Sequence, residues 1–202
     1  MHDRTHVLVT LALVVVVMLA ALGIVTARLE AAQSAQPASP TYPFEALLDA
    51  GLKDDTRVDA GELGRLVSAG LVHTTRTHLV VNAVALLLVS LFWWRVNVSL
   101  RRVRHAWLLP AIALVSSTAG FLLSYLVRAG PSGGASAAIY GILAAVAGAT
   151  WALRADLPKS VRLVAPIALT VLSLGAVVMM LGKAGMDHAA HFGGWGAGFV
   201  AG

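Results

Sequence analysis

Five stretches of this chain run without a formal charge: 7–27, 77–94, 106–127, 129–153 and 163–182. A sixth begins at His188 and continues to Gly202. A helix needs about 20 mostly apolar residues to cross a hydrocarbon layer. So many such segments exceed what one water-soluble core can hide. The pattern predicts an all-α fold, a polytopic membrane bundle of six transmembrane helices. Composition agrees: 58% of residues are hydrophobic, only 12% are charged and the mean hydropathy is +0.79. Soluble domains carry roughly twice that share of charge.

The spans differ in detail. The first apolar run, Val7 to Ala27, has 21 residues. That is longer than the core of a cleaved signal peptide and fits a retained first span. The second is expected to begin about a turn before its uncharged core, near Leu71, with Arg76 at its outer end. The sixth has only 15 residues, and its helix reads as cut short at the C-terminus.

Loop charges set the orientation. Loop 95–105 holds Arg95, Arg101, Arg102 and Arg104 and no acid. Loop 154–162 holds Arg154, Lys159 and Arg162 against Asp156. The long segment 28–76 holds five basic and seven acidic residues. Short basic loops face the cytoplasm. The N-terminus is therefore expected inside, with the second, fourth and sixth spans entering from the outer face. The expected localisation is a bacterial plasma membrane, which the chain crosses several times in contact with membrane lipid.

Three regions follow. Residues 1–28 form a cytoplasmic tip and the first span. Residues 29–70 form an outer loop, with a Pro- and Ser-containing linker at 31–44 and short amphipathic interfacial helices over 45–72. Residues 71–202 carry the remaining helices. The chain lacks cysteine, which excludes disulfides, thiolate metal sites and a cysteine nucleophile. The net charge of +5 is spread over membrane-flanking loops, so nucleic acid is not an expected partner.

Polar groups inside spans are expensive and are functional candidates. Three places qualify: His78 with Asn82, Ser136, and His188 with His191. At about 1.5 Å per residue, Ser136 lies roughly 25 Å above the inner end of its helix and His78 roughly 24 Å above the end of its own. His191 lies about 6 Å below Asp187. All three fall in the outer third of a layer about 30 Å thick.

Their surroundings are informative. Ser136 follows Gly130-Pro131-Ser132-Gly133-Gly134-Ala135, a loop, and opens a helical run. A helix N-terminus presents unpaired N–H groups and partial positive charge, which suit an oxyanion. A serine there also commonly serves as a simple cap. In the last stretch Gly194, Gly198 and Gly202 are four apart and make a groove for close helix packing. His191 sits on the same face. His78 and Asn82 share a face of the second span; both can donate hydrogen bonds to an oxyanion or to another helix.

Together these residues resemble the rhomboid intramembrane serine proteases. Gly134-x-Ser136 with Tyr140 one turn later resembles the family's nucleophile motif. His191-x-x-Gly194-x-x-x-Gly198 resembles its base-bearing helix, and His78-x-x-x-Asn82 its oxyanion pair, with His73 at the upstream histidine. Gly61-Glu62-Leu63-Gly64-Arg65-Leu66 resembles its outer-loop signature. Order and spacing agree over about residues 45–202. The resemblance implies a serine endopeptidase with Ser136 as nucleophile and His191 as general base. Oxyanion donors would be His78, Asn82 and the Ser136 N–H, with Tyr140 orienting His191. The substrates implied are transmembrane proteins, cut in the outer part of the bilayer without cofactor or metal. Two positions depart from the pattern: Ala137 replaces a usual glycine, and Gly64 replaces a usual tryptophan.

Other readings fit less of the sequence. A catalytically silent rhomboid-like binding protein would usually lack the serine or the histidine. A zinc site built from His78, His188, His191 and Asp187 lacks a peptidase signature. A transporter would show broken helices in paired halves.

Overall fold

The computed structural model describes the backbone of residues 2–34, 40–100 and 103–202, and their side chains except at 2–15, 17, 103, 104 and 106. The described chain is all-helical. In order come α1 (His2–Gln33), α2 (Phe44–Asp49), α3 (Asp55–Asp59), α4 (Arg65–Ser68), α5 (Arg76–Ser99), α6 (Leu109–Leu126), α7 (Ser136–Ala152), α8 (Val164–Val178) and α9 (His188–Ala201). Short 3-10 turns occupy Ala69–Leu71, Val103–Leu108 and Arg154–Asp156. The β-pairing described is one isolated antiparallel bridge, Lys53 with Ser132.

α7 is the central post, packed against α9, α6, α8 and α5. Its composition explains the position. Alanine and glycine dominate it, so neighbouring backbones approach closely, and Ile139, Ile142 and Val146 fill the core beside α5 and α6. α5 and α6 are long and apolar enough to cross a membrane; α7 and α8 are apolar but shorter. The outward faces stay greasy: Val80, Val81, Val84, Leu88 and Leu91 on α5, and Val171 and Leu172 on α8, are exposed. Such continuous apolar surface is untenable in water and ordinary in lipid.

Two helix boundaries differ from expectation. α5 starts at Arg76, not near Leu71, because Thr75 caps it and accepts the His78 N–H at 3.0 Å. Residues 69–71 instead form a tight 3-10 turn, and Val72 is extended. α1 runs on to Gln33, so residues 31–33 are helix rather than linker. Its end is tied down by Glu30, which accepts from Tyr42 Oη at 2.6 Å and pairs with Arg76. Residues 35–39 of the expected linker, and Arg101 and Arg102 of the expected basic loop, lie outside the described residues.

The segment between α1 and α5 folds as three short helices, and a glycine at position 64 leaves it well seated. Gly64 stands at the cap of α4. Next to it, Arg65 Nη1 donates to the carbonyls of Leu48 at 2.6 Å and Leu52 at 3.0 Å. Its guanidinium also pairs with Glu62 at 2.6 Å and holds that carboxyl below the ordinary range.

Candidate active site

The loop before Ser136 is pinned along its length. Lys53 and Ser132 exchange both backbone hydrogen bonds, at 3.1 and 2.9 Å. The Gly134 N–H donates to Ala69 O at 2.9 Å, and the Ala135 N–H to His73 Nε2 at 3.3 Å. Gly134 has φ +128°, a conformation side chains rarely adopt. The chain then turns into α7 with Ser136 as the first helical residue.

Ser136 is not the cap of α7. That position belongs to Ala135, which makes no side-chain cap bond. The Ser136 hydroxyl instead stands 2.8 Å from His191 Nε2.

His191 is brought there by α9. Asp187 caps this helix, accepting the Ala190 N–H at 2.9 Å on Oδ1. Glycines then let α9 lie directly on α7. A Cβ on Gly194 would fall 2.3 Å from Ala137 O, on Gly198 2.0 Å from Gly141 O, and on Gly202 1.9 Å from Ala145 O. Contacts advance four residues at a time on both helices, so the two run parallel with their N-termini side by side. The departure at Ala137 is accommodated by the same device. Its side chain is fully buried, and its methyl faces Gly120 of α6, where a Cβ would come within 2.9 Å.

The His191 ring is buried and lies 4.9 Å, centroid to centroid, from Tyr140 at a tilt of 57°. Its Nδ1 is buried without a hydrogen-bond partner among the described residues.

His78 and Asn82 of α5 face the backbone of Gly134. A Cβ on that glycine would meet His78 Cε1 at 2.7 Å, His78 Nε2 at 2.9 Å and Asn82 Nδ2 at 3.3 Å. Only a glycine leaves this space open. The Asn82 amide nitrogen is buried and unpartnered among the described residues. His73 packs edge-on against His78, with centroids 5.0 Å apart. Its Nε2 accepts from Ala135, so the ring is held neutral with its proton on Nδ1, 3.3 Å from Leu71 O. Burial, reinforced by His78, pushes the His73 pKa down to about 4. His188 is the first residue of α9, a turn before His191.

The structure thus gathers Ser136, His191 and Tyr140 in one cluster, with Gly134, His78 and Asn82 beside it and His73 behind. Sequence reasoning missed two contributors. Lys53 is fully buried beneath the Ser136 loop, and Asp187 is bound to the loop as well as capping α9. A lysine following Leu52 and preceding two aspartates offered little signal. The aspartate opening an apolar run three residues before Ala190 was a readable helix cap.

The family model of the Rhomboid domain matches residues 60–202. No curated protein matches the chain. The matched region spans more than half of the sequence and takes in every residue of the cluster, so the chain belongs to the rhomboid family of integral-membrane serine proteases.

Proposed function

We propose that this protein is an active intramembrane endopeptidase that cleaves transmembrane protein substrates with a Ser136–His191 dyad. The observation that carries this reading is the 2.8 Å approach of Ser136 Oγ to His191 Nε2 beside an unpartnered amide, Asn82 Nδ2. A nucleophile within hydrogen-bond reach of its base is the signature of covalent serine catalysis.

Ser136 Oγ attacks the scissile carbonyl carbon while its proton passes to His191 Nε2. The carbonyl oxygen becomes an oxyanion. The Ser136 N–H, in the first turn of α7, and the side chains of His78 and Asn82 donate to it. Collapse of this intermediate expels the amine, which takes the proton from His191, and leaves an acyl-enzyme. Water, deprotonated by His191, then releases the second product and restores Ser136. Tyr140 holds the imidazole by ring contact, the orienting task an aspartate performs in a triad.

The supporting frame is a six-span bundle with the N-terminus cytoplasmic, in a bacterial plasma membrane. Residues 29–70 form its outer loop and 71–202 its catalytic helices. Cleavage falls near the outer face, where α7 and α9 begin. Purified protein in detergent or liposomes tests the proposal directly with a model transmembrane substrate. Cleavage that stops with Ser136→Ala supports it; cleavage that survives that change overturns it.

A further inference from the structure

Lys53 Nζ is buried completely. It pairs with Asp55 at 2.6 Å, donates to Gly130 O at 2.6 Å and donates to Ser124 Oγ at 2.9 Å. Asp55 Oδ2 in turn accepts the Gly130 N–H at 3.1 Å. Ser124, in the last turn of α6, donates to Asp187 Oδ2. Ser132 Oγ donates to the same oxygen at 2.5 Å.

One ammonium therefore joins four segments: the outer-loop turn, the end of α6, the loop before Ser136 and the start of α9. The geometry has an inner symmetry. Ser132 precedes Ser136 by four residues, and Asp187 precedes His191 by four. The Ser132–Asp187 bond ties together the two strands of chain that deliver the dyad. A buried cation is costly unless paired and fully hydrogen-bonded, and here its bonds are spent on these connections.

We infer that Lys53 is a positioning residue for the dyad: through Ser124 and Asp187 it fixes where α9 begins relative to the Ser136 loop, and so sets His191 against Ser136. This inference depends on the dyad reading above, which wild-type cleavage and its loss in Ser136→Ala test separately.

The deciding experiment compares Lys53→Met, Ser124→Ala, Asp187→Asn and the Lys53→Met/Asp187→Asn double variant. Leu29→Ala, which opens a cavity in a hydrophobic cluster that contains neither dyad residue nor any member of the Lys53 network, serves as a destabilised control. Each is assayed below its own unfolding temperature for kcat and KM on the model substrate, and for the rate at which a fluorophosphonate labels Ser136. Misalignment is expected to lower kcat and labelling together by about 10- to 100-fold, with KM unchanged. The double variant should lose no more than the worse single one, because both break one connection. Leu29→Ala should keep its kcat while folded. Wild-type kcat in folded Lys53→Met, a change confined to KM, or losses that multiply in the double variant would each overturn the inference. If Lys53→Met does not fold, Ser124→Ala decides: it cuts the link to Asp187 without stranding a charge. Lowered kcat supports the inference, and unchanged kcat overturns it.

Discussion

Gly198 of α9 and Gly141 of α7 meet backbone to backbone, with 2.0 Å between the place a Gly198 Cβ would occupy and Gly141 O. No rotamer change relieves such a clash, since the obstacle is a carbonyl in the middle of a helix. Gly198→Ala should therefore destabilise the protein by at least about 1–3 kcal/mol, the usual cost of overpacking, and lower activity with it. Gly196, two residues earlier and on the opposite face of the same helix, has open space beside it. Gly196→Ala should be neutral or stabilise by about 0.5–1 kcal/mol, because alanine suits a helix interior better than glycine. Thermal unfolding of the two variants in one detergent checks the contrast.

Removal of either dyad member should end proteolysis. Ser136→Ala and His191→Asn are each expected to lower kcat/KM by about 1,000-fold or more, with folding unchanged. Fluorophosphonate labelling should vanish in the first and slow severely in the second. Chelators should have no effect on the wild-type rate.

Asn82 should report on the oxyanion alone. Asn82→Ala is expected to reduce kcat by about 100- to 1,000-fold while KM stays near wild type, the pattern for a donor used only in the transition state. Steady-state kinetics on a transmembrane substrate give both constants. Equal changes in kcat and KM would remove Asn82 from the oxyanion role.

His73 predicts an acid-sensitive fold. The native ring is neutral because Nε2 accepts from Ala135, and burial holds its pKa at about 4. In the unfolded chain the pKa returns to the ordinary value of about 6.5. Between those values the unfolded state binds a proton the native state refuses. The contribution of His73 is thus fully present above pH about 6.5 and declines as pH falls toward 4, by up to about 1.4 kcal/mol per pH unit. Denaturation followed from pH 7 to 4.5 should show a shallower decline in His73→Phe than in wild type, which isolates His73 from the other histidines.

The sequence was most readable where one residue type answers to one local rule. Long uncharged runs located α5 to α9, glycines four apart marked the face of α9 that meets α7, and a Gly-Pro loop put Ser136 at a helix start. Boundaries set by a single hydrogen bond were harder. Hydropathy extends the second span to Leu71, whereas the Thr75 cap begins it at Arg76. The Lys53 network was hidden for a different reason. Its bonds reach Ser124 and Gly130, 71 and 77 residues away, and no periodicity records a contact of that range. A buried lysine looks the same in sequence as a lysine in a solvated loop.

The bare amide of Asn82 has a thermodynamic corollary. A buried donor left without a partner costs about 1–3 kcal/mol, and Asn82 Nδ2 is such a donor among the described residues. In the proposed mechanism that donor is satisfied when a substrate oxygen takes on charge beside it. Under the proposed mechanism the ground state is thus held slightly uphill, and part of the barrier to peptide hydrolysis is already met there. Asn82→Leu, close in shape and free of the orphan donor, should accordingly melt at a higher temperature than wild type while cleaving almost nothing: a sturdier protein that has lost its reason for being less sturdy.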